Sequence, residues 1–156
     1  MVFDLMPLLS GERKELPLCY KETVSDETYF GYFEELGISH GGEIEITGKI
    51  CDMSAYMQLD VTAKLTYKTH CCRCLKETEG VCECVIKRVL SAEAPDGEDD
   101  DVIVYTDRRV DIGQTVCEEL LMAFPAKPLC KPDCKGLCPV CGQDLNEGGC
   151  EHTAED

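Results

Sequence analysis

The end of this chain carries five cysteines and a histidine within residues 130–152, and their spacing constrains the fold more than any other feature. Cys138 and Cys141 are separated by two residues and followed by Gly142, which is the pattern of a zinc knuckle. Two thiolates at this spacing can bind one ion, and a following glycine can adopt the positive φ that closes the turn. Thiolates in this number favour zinc or an iron–sulfur cluster over hard cations. The spacing therefore predicts a metal-binding module.

Length and cysteine count indicate the class of protein. The 156 residues suit one domain with a small appendix, and 13 of them are cysteines. The N-terminus has no basic stretch typical of a secretory signal, and no apolar run approaches the roughly 20 residues of a membrane helix. We therefore expect a cytoplasmic protein without a membrane partner. Because cytoplasmic thiols stay reduced, the cysteines indicate metal or redox chemistry rather than disulfides.

The formal net charge of −16, from 31 acidic and 15 basic side chains, narrows the choice of partner. Nucleic-acid binding normally needs a basic surface, so this balance argues against a broad phosphate-binding face. The acids either solvate the surface or attract a basic protein partner.

Hydrophobic periodicity predicts an antiparallel β meander over residues 43–90. Residues 55–68 alternate strictly between apolar and polar, which is typical of a half-buried antiparallel strand. Residues 43–50 and 80–90 predict its two neighbours, with a turn at 51–54. Weaker patterns predict short strands at Val2–Leu9, Leu16–Tyr20 and Val102–Tyr105, and either a strand or a helical turn at Tyr29–Leu36.

A helix is predicted at Asp111–Phe124. Asp111 is a good N-cap, and Gln114 stands three residues on, as in a capping box. Pro125 and Pro128 stop the helix. Because a meander needs a cover on one face, we expect the helix to pack on the sheet.

The expected fold class is thus α+β, an antiparallel meander covered by a helix, with a C-terminal zinc-knuckle module. Residues 1–124 form the predicted core domain, which includes an acidic linker at about 91–101. Residues 125–156 form the predicted cysteine-rich module.

Ligand counting leaves two arrangements open, since a structural zinc takes four ligands. With one ion, Cys138 and Cys141 supply two ligands and the C-terminal module supplies the rest. We favour this arrangement and rank the remaining candidates in the order Cys150, Cys134, Cys130 and His152.

With two ions, a second knuckle at Cys71 and Cys74 joins the first. These two cysteines follow the central predicted strand, where a turn can expose both sulfurs, although the same spacing also suits a plain tight turn. Cys72 is interpreted as incidental. The remaining five cysteines are also interpreted as incidental and as small hydrophobic residues: Cys19, Cys51, Cys82, Cys84 and Cys117.

Catalysis has little support. The chain has three histidines and no Ser-His-Asp order, H-E-x-x-H or P-loop sequence, so we do not expect an enzyme. The spacing of Cys134, Cys138 and Cys141 matches the radical-SAM cluster motif, but this chain is short and its motif lies late. A thiol or iron–sulfur redox protein is the alternative function.

Three stretches of the sequence resemble the YceD family of large ribosomal RNA subunit accumulation proteins. They are the Cys71–Leu75 knuckle, the helix that ends in proline, and the segment Cys130–Asn146, which contains C-K-G-L-C-P-x-C-G. The resemblance covers the chain from about residue 40. It departs in the tail, where Cys150 and His152 stand in place of a C-x-C pair.

The resemblance implies a non-catalytic role in ribosome biogenesis, supporting accumulation of large-subunit ribosomal RNA. The implied partner is a ribosomal protein or a pre-ribosomal particle. Direct RNA contact stays open, because the basic residues near the predicted knuckle and helix either face phosphate or balance zinc-bound thiolates. These candidates are Lys127, Lys131, Lys135, Arg108 and Arg109.

Overall fold

A computed structural model describes residues 1–24, 31–34, 38, 42–94, 97 and 99–153. The described chain is a mixed α+β fold with a mostly antiparallel sheet and few helices. Its strands are β1 (Val2–Asp4), β2 (Glu15–Thr23), β3 (Glu43–Asp52), β4 (Met57–His70), β5 (Glu77–Ser91), β6 (Val102–Val104) and β7 (Arg109–Asp111). Its helices are α1 (Met6–Leu9), α2 (Gly113–Ala123) and a 3-10 turn at Glu151–Thr153.

Five of the strands form the main sheet, in the order β2-β3-β4-β5-β6. Strands β2 to β5 pair antiparallel in chain order, which confirms the predicted meander and extends it by β2 at one edge. The predicted strand Leu16–Tyr20 lies within β2. Strand β6 pairs parallel to β5, with Val102 opposite Val89 and Val104 opposite Ser91.

The alternation of β4 determines which face of the sheet is buried. Its odd-numbered residues from Met57 to Tyr67 are all buried, whereas Ala55 lies before the strand and is exposed. A strand turns successive side chains to opposite faces, so this face lines the core. Neighbouring buried residues continue it across the sheet, with Ile46 opposite Ala63 and Val61 opposite Ile86.

Two glycines allow close packing beside β4. Gly48 has φ 153°, and a Cβ built on it would lie 2.3 Å from the carbonyl oxygen of Asp60. Gly80 lies opposite Tyr67, whose ring covers it; a Cβ there would meet that ring at 2.4 Å. The Tyr67 ring also packs on Phe124, with 4.6 Å between ring centroids.

Helix α2 covers the buried face, as predicted. Val116, Cys117 and Leu120 are fully buried in the shared core. The helix starts two residues later than expected, with Ile112 as its N-cap. Asp111 still accepts the Gly113 backbone N–H at 2.9 Å.

The predicted capping box is not formed. Gln114 donates to Glu118 Oε1 at 2.8 Å, because both side chains lie on the exposed face one turn apart.

The first residues differ from the expected single strand. Strand β1 ends at Asp4, whose carboxylate accepts the Met6 N–H at 2.9 Å, and α1 follows with Pro7 in its first turn. Proline fits the start of a helix better than a strand interior. Strand β1 pairs with β7 and so joins the N-terminus to the segment before α2. Of the predicted element Tyr29–Leu36, only residues 31–34 are described, and they are helical.

The acidic segment is shorter than predicted, since β5 continues to Ser91. The Val89 N–H donates to the Asp101 carbonyl at 2.8 Å, which attaches the far end of the segment to the sheet. Among the described helices, none has the length and apolar character needed to cross a membrane.

Candidate metal centres

Eight side chains gather into two groups of four, and each group could hold a metal ion. The donor atoms within a group all lie within 4.8 Å of one another. The strand-end cluster consists of Cys71, Cys74, Cys130 and Cys134. The tail cluster consists of Cys138, Cys141, Cys150 and His152.

The strand-end cluster has the dimensions of a tetrahedral thiolate site. The sulfurs of Cys71 and Cys134 are 3.8 Å apart, and those of Cys74 and Cys130 are 3.5 Å apart. Four sulfurs placed tetrahedrally at about 2.3 Å from one zinc ion would lie about 3.8 Å from each other. Cys71, Cys74 and Cys134 are buried, so an ion here would be shielded from water.

The turn between β4 and β5 orients the first pair of ligands. The Cys71 N–H donates to the Lys76 carbonyl and the Leu75 N–H to the Cys71 carbonyl, each at 2.9 Å. The Arg73 N–H points at the Cys71 sulfur, 3.5 Å away. Burial raises the pKa of Cys71, but N–H groups of Cys130, Cys74 and Arg73 outweigh it and lower that pKa to about 6. These N–H groups therefore favour the thiolate form of Cys71, which is the form that binds a metal.

Backbone contacts hold the second pair of ligands against this turn. The Cys72 N–H donates to the Pro128 carbonyl at 2.9 Å, and the Leu137 N–H donates to the Arg73 carbonyl at 3.1 Å. Arg73 Nη1 donates to the Cys134 carbonyl at 2.7 Å. Gly136 has φ 77° and lies so close that a Cβ would be 3.0 Å from the Arg73 oxygen.

Asn146 connects the strand-end cluster to a group of charged side chains. Its amide nitrogen donates to the Cys134 sulfur at 3.4 Å and to Asp144 Oδ1 at 2.7 Å. The other oxygen of Asp144 pairs with Lys76 at 2.8 Å, and Lys76 also bonds Glu147 at 2.7 Å. The hydrogen bond from Lys76 is the main cause that lowers the pKa of Asp144 to about 2.

Sequence reasoning gave Asn146 no role at the site. The only signal was its position at the end of the family-like segment, and spacing alone does not show that an amide reaches a sulfur.

The tail cluster is built on the second knuckle. The Cys138 N–H donates to the Gln143 carbonyl at 2.8 Å and the Gly142 N–H to the Cys138 carbonyl at 2.9 Å, while Gly142 adopts the expected positive φ of 74°. N–H groups of Cys141 and Val140 lower the pKa of Cys138 to about 6. Cys138 is buried, Cys141 and His152 are exposed, and Cys150 is half-buried. This cluster is thus open to solvent on one side.

The structure separates the candidates that the one-ion arrangement placed together. Cys134 and Cys130 lie with Cys71 and Cys74, not with Cys138, because Gly136 and Leu137 turn the chain between them onto the β4–β5 turn. The grouping corresponds to the two-ion arrangement, in which eight side chains supply four ligands to each ion. One of the eight is His152, which was ranked last among the candidate ligands. The grouping also draws ligands from both predicted domains. That these residues bind metal and that the domains divide at residue 125 stay predictions.

An open groove of about 650 Å³ lies beside the strand-end cluster. The β4–β5 turn forms one wall, and the end of α2 with the prolines that follow forms the other; Cys71, Leu75, Leu121, Phe124 and Pro128 line it. Leu75 in the β4–β5 turn is 64% exposed, and Met122 in the last turn of α2 is 84% exposed, so both elements present apolar surface.

The five basic candidates are all exposed but form two groups. Arg108 lies in the turn before β7 and Arg109 is the first residue of β7, so both precede α2, whereas Lys127, Lys131 and Lys135 follow the helix. An 11-residue helix is about 16 Å long and separates them. Their contact with RNA or protein stays a prediction.

All thirteen cysteines are described and none forms a disulfide. Of the cysteines interpreted as incidental, Cys82 and Cys117 are buried in the core, which agrees with their interpretation as small hydrophobic residues. Cys51 and Cys84 are half-buried. Cys19 is exposed, so it does not act as a small core residue, and Cys72 is exposed in the β4–β5 turn.

Comparisons with known proteins agree with the resemblance. The chain is 27% identical over 161 residues to an uncharacterized protein of Mycobacterium tuberculosis, covering 100% of this chain and 76% of the relative. It is also 27% identical over 149 residues to an uncharacterized protein of Mycobacterium leprae, covering 93% of this chain and 67% of the relative. No solved structure matches the chain. The profile of the large ribosomal RNA subunit accumulation protein YceD matches residues 59–156, and the chain therefore belongs to the YceD family.

Proposed function

We propose that this chain is a non-catalytic factor in ribosome biogenesis that supports the accumulation of large-subunit ribosomal RNA in the cytoplasm. Family membership across residues 59–156 is the observation that carries the proposal. The chain acts through protein or ribonucleoprotein contacts, with a ribosomal protein or a pre-ribosomal particle as partner. The formal charge of −16 supports a basic protein partner, since the surfaces by which ribosomal proteins bind RNA are basic.

Affinity capture from a cell lysate, with and without nuclease, tests the protein-contact mechanism. Ribosomal proteins should remain bound after nuclease treatment if the contact is direct. Reversing the exposed charges in Glu93→Lys with Asp100→Lys should reduce capture, whereas Lys64→Glu on the outer face of the sheet should not. Loss of every ribosomal partner after nuclease treatment would refute direct protein contact.

Zinc is the metal that we propose for the cysteine clusters. The donor sets are thiolates with one imidazole, which zinc prefers in structural sites. The spacing argues against a [4Fe–4S] cluster, because each of its irons takes its own thiolate and the four sulfurs stand further apart than around one ion. A single iron ion held by four thiolates would have the same geometry as zinc, so metal content decides between zinc and the redox alternative.

Elemental analysis of the purified protein tests the metal. We expect zinc, a colourless solution and no absorption near about 400 nm of the kind that iron–sulfur centres give. Iron bound in stoichiometric amount would overturn the assignment and return the redox alternative.

A further inference from the structure

The two clusters differ in what an ion at each would join. Cys74 and Cys130 are 56 residues apart in the sequence, and Cys71 and Cys134 are 63 apart. An ion in the strand-end cluster would therefore fasten the segment after α2 to the turn between β4 and β5. The tail-cluster ligands all lie within residues 138–152, so an ion there would close one short segment on itself.

The clusters share no ligand, although Cys134 and Cys138 are only four residues apart. The backbone between them bonds in two directions: the Leu137 N–H donates to Arg73 in the β4–β5 turn, and the Cys138 N–H donates to Gln143 in the tail. Each knuckle thus keeps its own N–H···S and N–H···O contacts. The backbone N–H groups at the Cys71 and Cys138 sulfurs come from separate segments. Asn146, which lies between the tail ligands Cys141 and Cys150, donates to the Cys134 sulfur and is a side-chain contact between the two clusters.

The clusters also differ in their access to solvent. Three of the four strand-end ligands, Cys71, Cys74 and Cys134, are at most 4% exposed, and the fourth, Cys130, is exposed. In the tail cluster Cys141 and His152 are exposed, and His152 is carried by a three-residue 3-10 turn. Exposed ligands on a short element open locally at lower free-energy cost than buried ligands whose segments are hydrogen-bonded to the rest of the fold.

We propose that the chain binds two divalent, thiolate-preferring metal ions at independent sites with different tasks. The ion in the strand-end cluster is structural, because it holds the segment after α2 on the turn between β4 and β5. The ion in the tail cluster exchanges readily and is not needed for that attachment. This inference rests on the proposed zinc binding, and it adds the number of ions, their independence and their unequal exchange.

Native mass spectrometry of the full chain tests the number and independence of the sites. Wild-type protein should carry two zinc ions. Cys74→Ser and Cys130→Ser should each retain only the tail ion, and Cys141→Ser should retain only the strand-end ion. Cys72→Ser is the matched control, since Cys72 is exposed in the same turn but belongs to neither cluster.

Competition with a chromogenic chelator tests the unequal exchange. Wild-type protein should release zinc in two phases, with the fast phase on the order of tenfold faster because local opening exposes the tail ligands. The fast phase should disappear in Cys141→Ser and the slow phase in Cys74→Ser. Limited proteolysis should cut residues 125–137 faster in Cys74→Ser than in Cys141→Ser.

The outcomes separate this inference from the proposals on which it rests. One zinc per chain, lost equally in variants of both clusters, would overturn the two-site inference and leave zinc binding intact. Loss of both ions from each variant would overturn independence. Single-phase release from a protein with two ions would overturn the unequal exchange. Protein without zinc would refute the proposed metal, while the capture experiment tests ribosome biogenesis separately.

Discussion

At the scale of single residues, Gly48 shows how closely β3 approaches β4. A Cβ at this position would meet backbone atoms of Asp60 and Val61 at 2.3 and 2.6 Å, and backbone cannot move aside as a side chain can. We expect Gly48→Ala to lower the free energy of unfolding by about 1–3 kcal/mol, as overpacking does. Denaturant unfolding measures it. Gly31→Ala, whose Cβ would have no neighbour within 4 Å, is the control and should show no loss.

Asn146 is a second residue whose role is local and testable. Its amide nitrogen holds the Cys134 sulfur in position, and partners of this kind orient metal ligands. Asn146→Ala should weaken zinc binding in the strand-end cluster by about 10–100-fold, which competition with a chelator measures. Gln143→Ala, an exposed neighbour, should leave the affinity unchanged. An equal loss in both variants would contradict the role given to Asn146.

At the scale of elements, Arg88 joins three parts of the fold. It lies on β5 with its side chain 17% exposed, pairs with Glu119 of α2, and approaches Asp101 before β6 at 3.7 Å. Because the Glu119 side chain is also largely buried, at 26% exposed, the pair is screened less than a surface ion pair. The contact therefore contributes to docking of the helix on the sheet.

Removing Arg88 should loosen α2. We expect Arg88→Ala to lower the free energy of unfolding by about 1–3 kcal/mol, since it leaves Glu119 without its charged partner. Thermal and denaturant unfolding would measure the change. Lys87→Ala next to it should cost less than about 0.5 kcal/mol, because Lys87 is 63% exposed and lies 3.8 Å from Asp60. Similar losses in both variants would show that the partly buried pair of Arg88 and Glu119 adds no more to the free energy of unfolding than an exposed pair does.

At the scale of the whole molecule, the net charge of −16 governs the proposed encounter with a basic partner. Capture of ribosomal proteins should weaken as ionic strength rises from about 0.01 M to about 1 M, since the Debye length falls from about 30 Å to about 3 Å. Surface plasmon resonance would show this mainly as a slower association rate. Affinity that does not change with salt would mean that apolar surface, such as that around Leu75 and Met122, dominates the contact.

Much of the fold was predictable because its signals are local. The period-2 pattern of β4 indicates a half-buried strand without knowledge of any neighbour, and Pro125 stops a helix wherever that helix packs. The α1 turn was missed because the apolar residues of Val2–Leu9 suit either element, and Pro7 and Asp4 decide between them. Strand β6 was predicted, but its parallel pairing depends on where the crossover returns the chain.

The sequence was enough to propose both knuckles, because a pair of cysteines two residues apart needs only its own turn to point both sulfurs one way, although a plain tight turn also suited Cys71 and Cys74. The sequence did not show which pairs of cysteines lie together in the fold. Only the tertiary structure brought Cys71 and Cys74 to Cys130 and Cys134, because their meeting depends on where β4 ends and where α2 releases the chain. The spacing of two cysteines is fixed by the few residues between them, whereas the packing of the whole sheet and helix decides which other pair of cysteines lies beside them.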